Sequence, residues 1–399
     1  MLRKIRVQNY KSILDDTFEL GRLNVFIGEN GCGKTNLLEA LAMTAEALNG
    51  DLDSDALSSR GIRLARPSLT LSAFTNHVAP TGIEISLGDM TPPLRIVKQD
   101  GADYLSPYPW KEESLHVSVM RMRRQIEQFK SIRRSGLEGM IEEVSREMPI
   151  FESFFARMKN SKSVDDMQSL AVELNEFAIY AVHTPALRGF QSDSKRAPLG
   201  INGEGLDTAI ASLDEAQRAE LEERAGCVSW FKKLDIDEDD RLKLQGFKLG
   251  RSTSALYFMD KFMPADNNLF SAENANEGIL HVLFYLTLFL SKQTPKIFAI
   301  DNIESALNPQ LCRELIKELA QLAAKSDKQA LITTHNPAVL DGLNLHDDEQ
   351  RLFVVSRDDE GHTVTNRIRL KPPTAEGEPR YKLSELWMRG MIGGLPERF

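Results

Sequence analysis

Gly28-Glu29-Asn30-Gly31-Cys32-Gly33-Lys34-Thr35 fills every fixed position of the pattern G-x-x-x-x-G-K-[ST]. Its glycines let the backbone turn sharply and aim successive N–H groups at phosphate oxygens. Lys34 supplies a cation for the β- and γ-phosphates, and Thr35 places a hydroxyl on a magnesium ion. The flanking residues argue against a chance glycine turn. Arg22-Leu23-Asn24-Val25-Phe26-Ile27 reads as a short apolar strand, and Leu37, Leu38, Leu41, Ala45 and Leu48 then keep helical spacing. The helix adds its positive N-terminal end to the anion site. The nucleotide-binding set expected here is Gly28, Asn30, Gly31, Gly33, Lys34, Thr35 and Asn36.

A second α/β stretch lies far downstream. Ile297-Phe298-Ala299-Ile300-Asp301 is an apolar strand ending in a carboxylate. A hard cation favours oxygen ligands, so Thr35 and Asp301 are the candidate metal ligands. Around it the sequence predicts a helix over 279–291, a strand over 296–300, a helix over 309–325 and a strand over 329–333. The third of these carries Leu311, Leu315, Ile316, Leu319 and Leu322 on one face, with Asn308 as N-cap and Pro309 at the first helical position. Alternation of this kind implies a mainly parallel sheet whose active edge is at the strand C-termini.

Outward from these two stretches the signals weaken. Residues 1–48 read as strand, turn, strand, loop and helix, and 49–67 as a loop or short helical excursion. Alternating pieces at 68–74, 83–87 and 94–97 predict a small antiparallel sheet. Residues 110–180 read as mainly helical and locally basic, with Arg121, Arg123, Arg124, Lys130, Arg133 and Arg134. Residues 203–240 are acidic. Both charge runs fit solvated faces and loops. The expected organisation is an N-terminal half of a nucleotide-binding core with a β subdomain (1–104), a helical insertion (105–180), an accessory segment (181–270) and the C-terminal half of the core (271–399).

The 399 residues exceed what one compact core usually takes. A hydrophobic fraction of 42% with 27% charged residues is ordinary for a globular chain. The net charge of -9 argues against a protein whose main business is coating nucleic acid, so any DNA contact would be a local patch. Cys32, Cys227 and Cys312 are far apart with no CxxC pair, which argues against a zinc site and a disulfide framework. The N-terminus alternates like a strand and lacks the apolar core of a signal peptide. The longest apolar run, 279–290, contains His281 and is too short to span a bilayer. Together these point to a reducing cytoplasm and a buried helix.

Beyond the phosphate loop, Asp301-Asn302-Ile303-Glu304-Ser305-Ala306-Leu307-Asn308-Pro309 resembles the Walker B and D-loop of ABC ATPases, where D-E precedes a segment like S-A-L-D-P. Leu331-Ile332-Thr333-Thr334-His335-Asn336-Pro337 is similar to the H-loop, which implies that His335 contacts the γ-phosphate. Asn276-Glu277-Gly278 resembles a reduced ABC signature, with Asn276 where Ser is usual. By that resemblance Asn276 and Gly278 would cap the γ-phosphate held by an opposite subunit.

The ensemble resembles the RecF/SMC-like branch of ABC ATPases, and more narrowly the stand-alone ATPases related to the OLD (overcoming lysogenization defect) family. Those are common in bacterial antiphage defence, including Septu-type systems. The resemblance covers 1–48 and about 270–399, with the ending Leu386-Trp387-Met388-Arg389-Gly390-Met391-Ile392-Gly393-Gly394-Leu395-Pro396. Leu187-Arg188-Gly189 and Gly200-Ile201-Asn202-Gly203-Glu204-Gly205 also fit the group. Arg188 is read either as facing nucleotide or partner, or as a structural ion pair. The resemblance implies ATP and Mg2+ as ligands, a homodimer or higher homo-oligomer, and a cytoplasmic ATPase that governs a separate nuclease or toxin without a membrane. Its trigger would be DNA or phage-derived.

Two departures shape that expectation. Asn302 stands where the hydrolytic glutamate is usual, and a neutral amide cannot accept a proton from the attacking water. Glu304, Asn302 and His335 are therefore the candidate catalytic residues, and slow hydrolysis is expected. The chain ends about 60 residues after His335, short of the Toprim nuclease domain into which OLD nucleases continue. The alternative is a RecF-like DNA repair ATPase with residues 121–134 on duplex DNA, disfavoured by the overall acidity and by Asn302. A third reading is an assembly scaffold.

Overall fold

The computed structural model describes residues 1–49, 52–88, 93–99, 110–113, 162–191, 196–237, 239–264, 267–370 and 381–394. Strands are numbered along the chain. The apolar run before the glycine loop forms β3 (Leu23–Ile27), buried throughout. It is flanked on one side by β12 (Gln329–Thr334), then β11 (Ile297–Ile300) and β7 (Ile179–Tyr180), all parallel. On its other side lies β13 (Gln350–Arg357), also parallel, and β14 (Thr363–Ile368) closes that edge antiparallel. The sheet is α/β and mainly parallel, as the alternating pattern predicts.

Both faces of this sheet are covered, which is why its strands read as continuous apolar runs. Val25, Ile27, Phe298, Ile300, Ala330, Ile332, Leu352 and Val354 enter one core, with the helices Glu277–Leu290 and Pro309–Lys325. Phe26, Ile297, Ala299, Leu331, Phe353 and Val355 point the other way, into a core shared with the helix Lys34–Asn49. The Glu277–Leu290 helix is buried on all sides, so its long apolar run belongs to the interior. Among the described residues no helix is long and apolar enough to cross a membrane.

The second core is closed by a five-stranded antiparallel sheet. Its order is β2 (Ile13–Glu19), β1 (Lys4–Tyr10), β4 (Gly82–Leu87), β5 (Leu94–Lys98) and β6 (Trp110–Glu112). The expected small sheet is thus continuous with the N-terminal hairpin. The stretch 68–74 is not one of its strands. Pro67 fixes φ at the start of a helical turn, Pro67–Thr70, and only Leu71 bridges to Tyr10. Of 110–180, read as mainly helical, only the two ends are described. It begins with β6, runs through the helix Lys162–Leu174 and ends in β7, a strand of the central sheet. The basic residues Arg121, Arg123, Arg124, Lys130, Arg133 and Arg134 lie outside the described residues.

The described residues of 196–271 lie beneath the central sheet on the side of the Glu277–Leu290 helix. The helices Leu206–Ala211 and Glu215–Ala225 pack into the first core. The antiparallel strands β8 (Phe231–Ile236), β9 (Leu256–Asp260) and β10 (Leu269–Ser271) extend it.

Candidate functional site

The loop after β3 is walled by the other sheet-edge strands. A Cβ at Gly28 would lie 2.1 Å from the Val355 carbonyl oxygen, and one at Gly33 would lie 2.1 Å from Thr363 Oγ1. Gly33 also sits at φ +110, where a side chain is strained even given space. The wall holds the loop by hydrogen bonds as well. Thr363 Oγ1 donates to the Cys32 carbonyl at 2.7 Å. Arg357 donates to the Gly31 carbonyl through Nε at 3.1 Å and through a terminal nitrogen at 2.9 Å. Ser12 pairs its hydroxyl with that of Thr363 at 2.7 Å and accepts from Asn36 Nδ2 at 2.7 Å. The Asn36 side chain is thereby committed to bracing the loop.

Lys34 is 5% exposed, and its ammonium donates to the carbonyls of Gly28 at 2.9 Å and Glu29 at 2.8 Å. Burial lowers its pKa, and the nearby charges of Asp301 and Glu304 pull the other way. His335 Nδ1 is 3.4 Å from Lys34 Nζ. An ammonium can only donate, so this contact leaves the His335 proton on Nε2. Burial, then the Lys34 charge, lowers the His335 pKa and favours the neutral ring.

Asp301 follows β11 directly, and its two carboxylate oxygens accept from Thr35 Oγ1 at 3.2 and 3.1 Å. Thr333, from β12, also donates to Asp301. Two neighbouring ligands of an octahedral Mg2+ lie about 2.9 Å apart, given bonds near 2.0–2.1 Å. The hydroxyl and carboxylate therefore already have the spacing and chemistry such an ion requires.

The turn after Asp301 directs the remaining candidates. Asn302 adopts φ 56, a left-handed conformation that Asn tolerates well, and its N–H donates to Thr333 Oγ1 at 2.9 Å. Glu304 faces the end of β12. Its carboxylate accepts from Thr334 Oγ1 at 2.8 Å and from the His335 N–H at 2.8 Å. Ala306 is again left-handed, at φ 61, and Asn308 then caps the next helix by accepting from Leu311 N at 2.9 Å. The geometry thus brings Lys34, Thr35, Asp301, Glu304 and His335 together at adjacent strand ends.

Asn276 and Gly278 meet the turn that follows Asp301 and not the loop itself. Asn276 caps the Glu277–Leu290 helix by accepting from Gly278 N at 2.8 Å. A Cβ at Gly278 would be 3.6 Å from the Ala306 carbonyl. Among the described residues, no hydrogen bond joins Asn276 or Gly278 to residues 28–35. Arg188 donates to the Ala275 carbonyl at 3.0 Å, so it braces the residue just before this cap.

Several residues around the loop carry no sequence signal. Thr363, Ser12 and Arg357 meet it across long chain separations, and no spacing rule marks such partners. Arg63 pairs with the fully buried Glu39 of the Lys34–Asn49 helix, as does Lys11. Arg63 also feels the Asp301 charge, which raises its pKa together with the dominant Glu39 hydrogen bond. From the C-terminal ending, Gly394 reaches the loop: a Cβ there would lie 3.7 Å from Gly28 Cα. Ser384 ties that segment to Asp341, just beyond the His335 strand end.

A glycine loop between a strand and a helix, with an aspartate ending a parallel strand of the same sheet, defines a P-loop nucleotide-binding protein. The chain belongs to the family described as AAA domain, putative AbiEii toxin, Type IV TA system, which matches residues 23–341. The fold is similar to an Smc head bound to the C-winged helix domain of ScpA, at 13% identity and a TM-score of 0.50, over 93% of this chain and 98% of that one. A Pyrococcus furiosus Smc head bound to the C-terminal domain of ScpA matches at 14% identity and a TM-score of 0.47, over 92% and 96% of the two chains. The SMC head of Thermotoga maritima matches at 10% identity and a TM-score of 0.43, over 93% and 99%. No curated protein matches the chain. The chain is thus an AAA-domain protein whose fold is similar to that of an SMC head.

Proposed function

We propose that this protein binds Mg-ATP between two copies of itself and acts as the regulatory subunit of an antiphage defence complex, controlling a separate nuclease or toxin. The dimeric reading is supported by one observation: among the described residues, no hydrogen bond joins the Asn276 cap to residues 28–35. Lys34, Thr35, Asp301 and His335 converge, with Thr35 Oγ1 3.1 Å from Asp301. The Asn276 helix cap instead lies against the turn at Ala306. A second copy, related head to tail, would bring its own helix cap to the γ-phosphate. A helix N-terminus is suited to an anion.

ATP would then act by population shift, since it bridges faces that meet only in the closed state. Thr35 and Asp301 would hold the magnesium, which neutralises phosphate charge. The phosphate-loop amides and Lys34 would orient the triphosphate, and the neutral His335 would offer Nε2–H to the γ-phosphate. With Asn302 in place of a carboxylate, Glu304 is the nearest base, but two hydrogen bonds already engage it. Slow turnover suits a sensor more than a motor.

The defence role is supported by the sequence resemblance and is consistent with the matched family description. It is tested in cells that carry the complete gene neighbourhood, by plaque counts with wild type and Lys34→Ala. Loss of protection in the variant is the expected result. Undiminished protection by a variant shown not to bind ATP would remove the proposal.

A further inference from the structure

The turn joining β13 to β14 carries Asp358, Glu360 and His362, and the loop before β4 brings Phe74 and His77 against it. His77, Glu360 and His362 each offer one ligand atom, and these atoms all lie within 4.8 Å of one another. His77 Nε2 is 3.4 Å from Glu360 Oε2, and His362 Nε2 is 3.9 Å from the same oxygen.

The third member of the cluster is the informative one. His362 is 8% exposed, and its Nε2 is buried without a hydrogen-bond partner. The other ring nitrogen is fixed: His362 Nδ1 lies 2.9 Å from Asp358 Oδ2. A carboxylate there accepts, so Nδ1 carries a proton, and in the neutral ring Nε2 presents a lone pair toward Glu360 and His77. Asp358 is itself held by the N–H groups of His362 at 2.8 Å and Glu360 at 3.0 Å. The Phe74 ring meets His362 edge-on at 4.3 Å and forms an apolar wall. An orphaned, pre-oriented imidazole lone pair beside a second imidazole and a carboxylate lacks one thing, a Lewis acid.

We propose that His77, Glu360 and His362 form a binding site for a divalent transition metal, with Zn2+ the best chemical match and a fourth position open to water. Two imidazoles and a carboxylate are ligands that suit Zn2+. Asp358 acts as the outer-shell carboxylate that orients a metal-bound histidine. Tetrahedral ligands at bonds near 2.0–2.2 Å sit about 3.4 Å apart, so a small inward movement completes the set. The site is separate from Thr35 and Asp301, but it adjoins the phosphate loop. His362 precedes Thr363, which holds the Cys32 carbonyl, and Arg357 of the same hairpin holds the Gly31 carbonyl. A metal would pin the 74–77 loop to the hairpin that braces the loop. Its histidines are nearly 300 residues apart in the chain. Cysteine spacing, which argued against zinc, does not bear on such a site.

The test uses the full chain without an affinity tag, stripped with a chelator and titrated with Co2+ and then Zn2+. The expected result is one equivalent of Co2+ with the intense visible absorption of four- or five-coordinate cobalt, displaced by Zn2+. His77→Ala and His362→Ala should each abolish it. Asp358→Asn should weaken binding about 10–100-fold. Lys34→Ala should leave it unchanged, which separates this site from nucleotide binding. His77 is exposed, so its variant reads out metal binding with the fold intact. Absence of a saturable Co2+ spectrum, or a spectrum that survives His77→Ala, overturns the proposal.

Discussion

Asn302 sits at φ 56 one residue beyond the carboxylate that meets Thr35, where a side chain is well placed to affect the chemistry. Replacing it with Glu restores a base and should raise turnover about 10–100-fold from a starting rate below about one ATP per second. The left-handed backbone makes Glu there about 1 kcal/mol less stable than Asn. Steady-state phosphate release checks the rate, and a fast wild type would contradict the assignment. The two internal glycines of the loop should also differ. Gly33→Ala must displace Thr363, whose hydroxyl would be 2.1 Å from the new Cβ, and we expect Mg-ATP affinity to fall at least about 100-fold. Gly31→Ala meets open space and should cost only the about 1–2 kcal/mol of a left-handed Ala, measured by denaturant melts. At this scale the sequence was informative because the chemistry uses contiguous residues. Gly28, Lys34, Thr35 and Asp301 could be named from local pattern alone. Ser12, Thr363 and Arg357 could not, since their role arises only when the chain folds back.

Among the elements, the Glu277–Leu290 helix was readable from its apolar run, yet that run hides a titratable group. Burial, with a smaller contribution from His183, pushes His281 down to about 4. Its ordinary value is 6.5, so the unfolded chain binds the proton more readily than the folded one. The associated stability is complete above pH 6.5 and is lost as pH falls toward 4. Asp16, pushed up to about 6 by burial, acts in the opposite sense and favours the fold as pH falls from about 6 to 3.8. The His281 part is therefore read as a difference: between pH 7 and pH 4, wild type should lose about 2–3 kcal/mol more than His281→Met in urea melts. Equal losses would show that His281 titrates normally. The antiparallel elements were less legible than the helices. The alternation at 68–74 imitates a strand, but Pro67 starts a helical turn and leaves one bridging residue at Leu71. The β1–β2 hairpin and β4–β5–β6 were visible as pieces, while their union depends on pairings such as Val7 with Ile85, far apart in sequence.

For the whole molecule, two cores on opposite faces of one sheet hold the strand ends in register, and the phosphate loop is the exit of its middle strand β3. The alternation of helices and strands made this architecture foreseeable. The placement of the described residues of 196–271 beneath the sheet was not, because it rests on packing against a helix that is buried all round. The proposed function holds that a second copy completes the site by bringing its Asn276 cap to the nucleotide. Sedimentation velocity of the purified protein, with and without Mg-ATP, tests this most directly. Mg-ATP should convert wild type to a dimer or larger assembly and leave Lys34→Ala unchanged. A protein that binds Mg-ATP with full occupancy yet sediments as a monomer at micromolar concentration would contradict it.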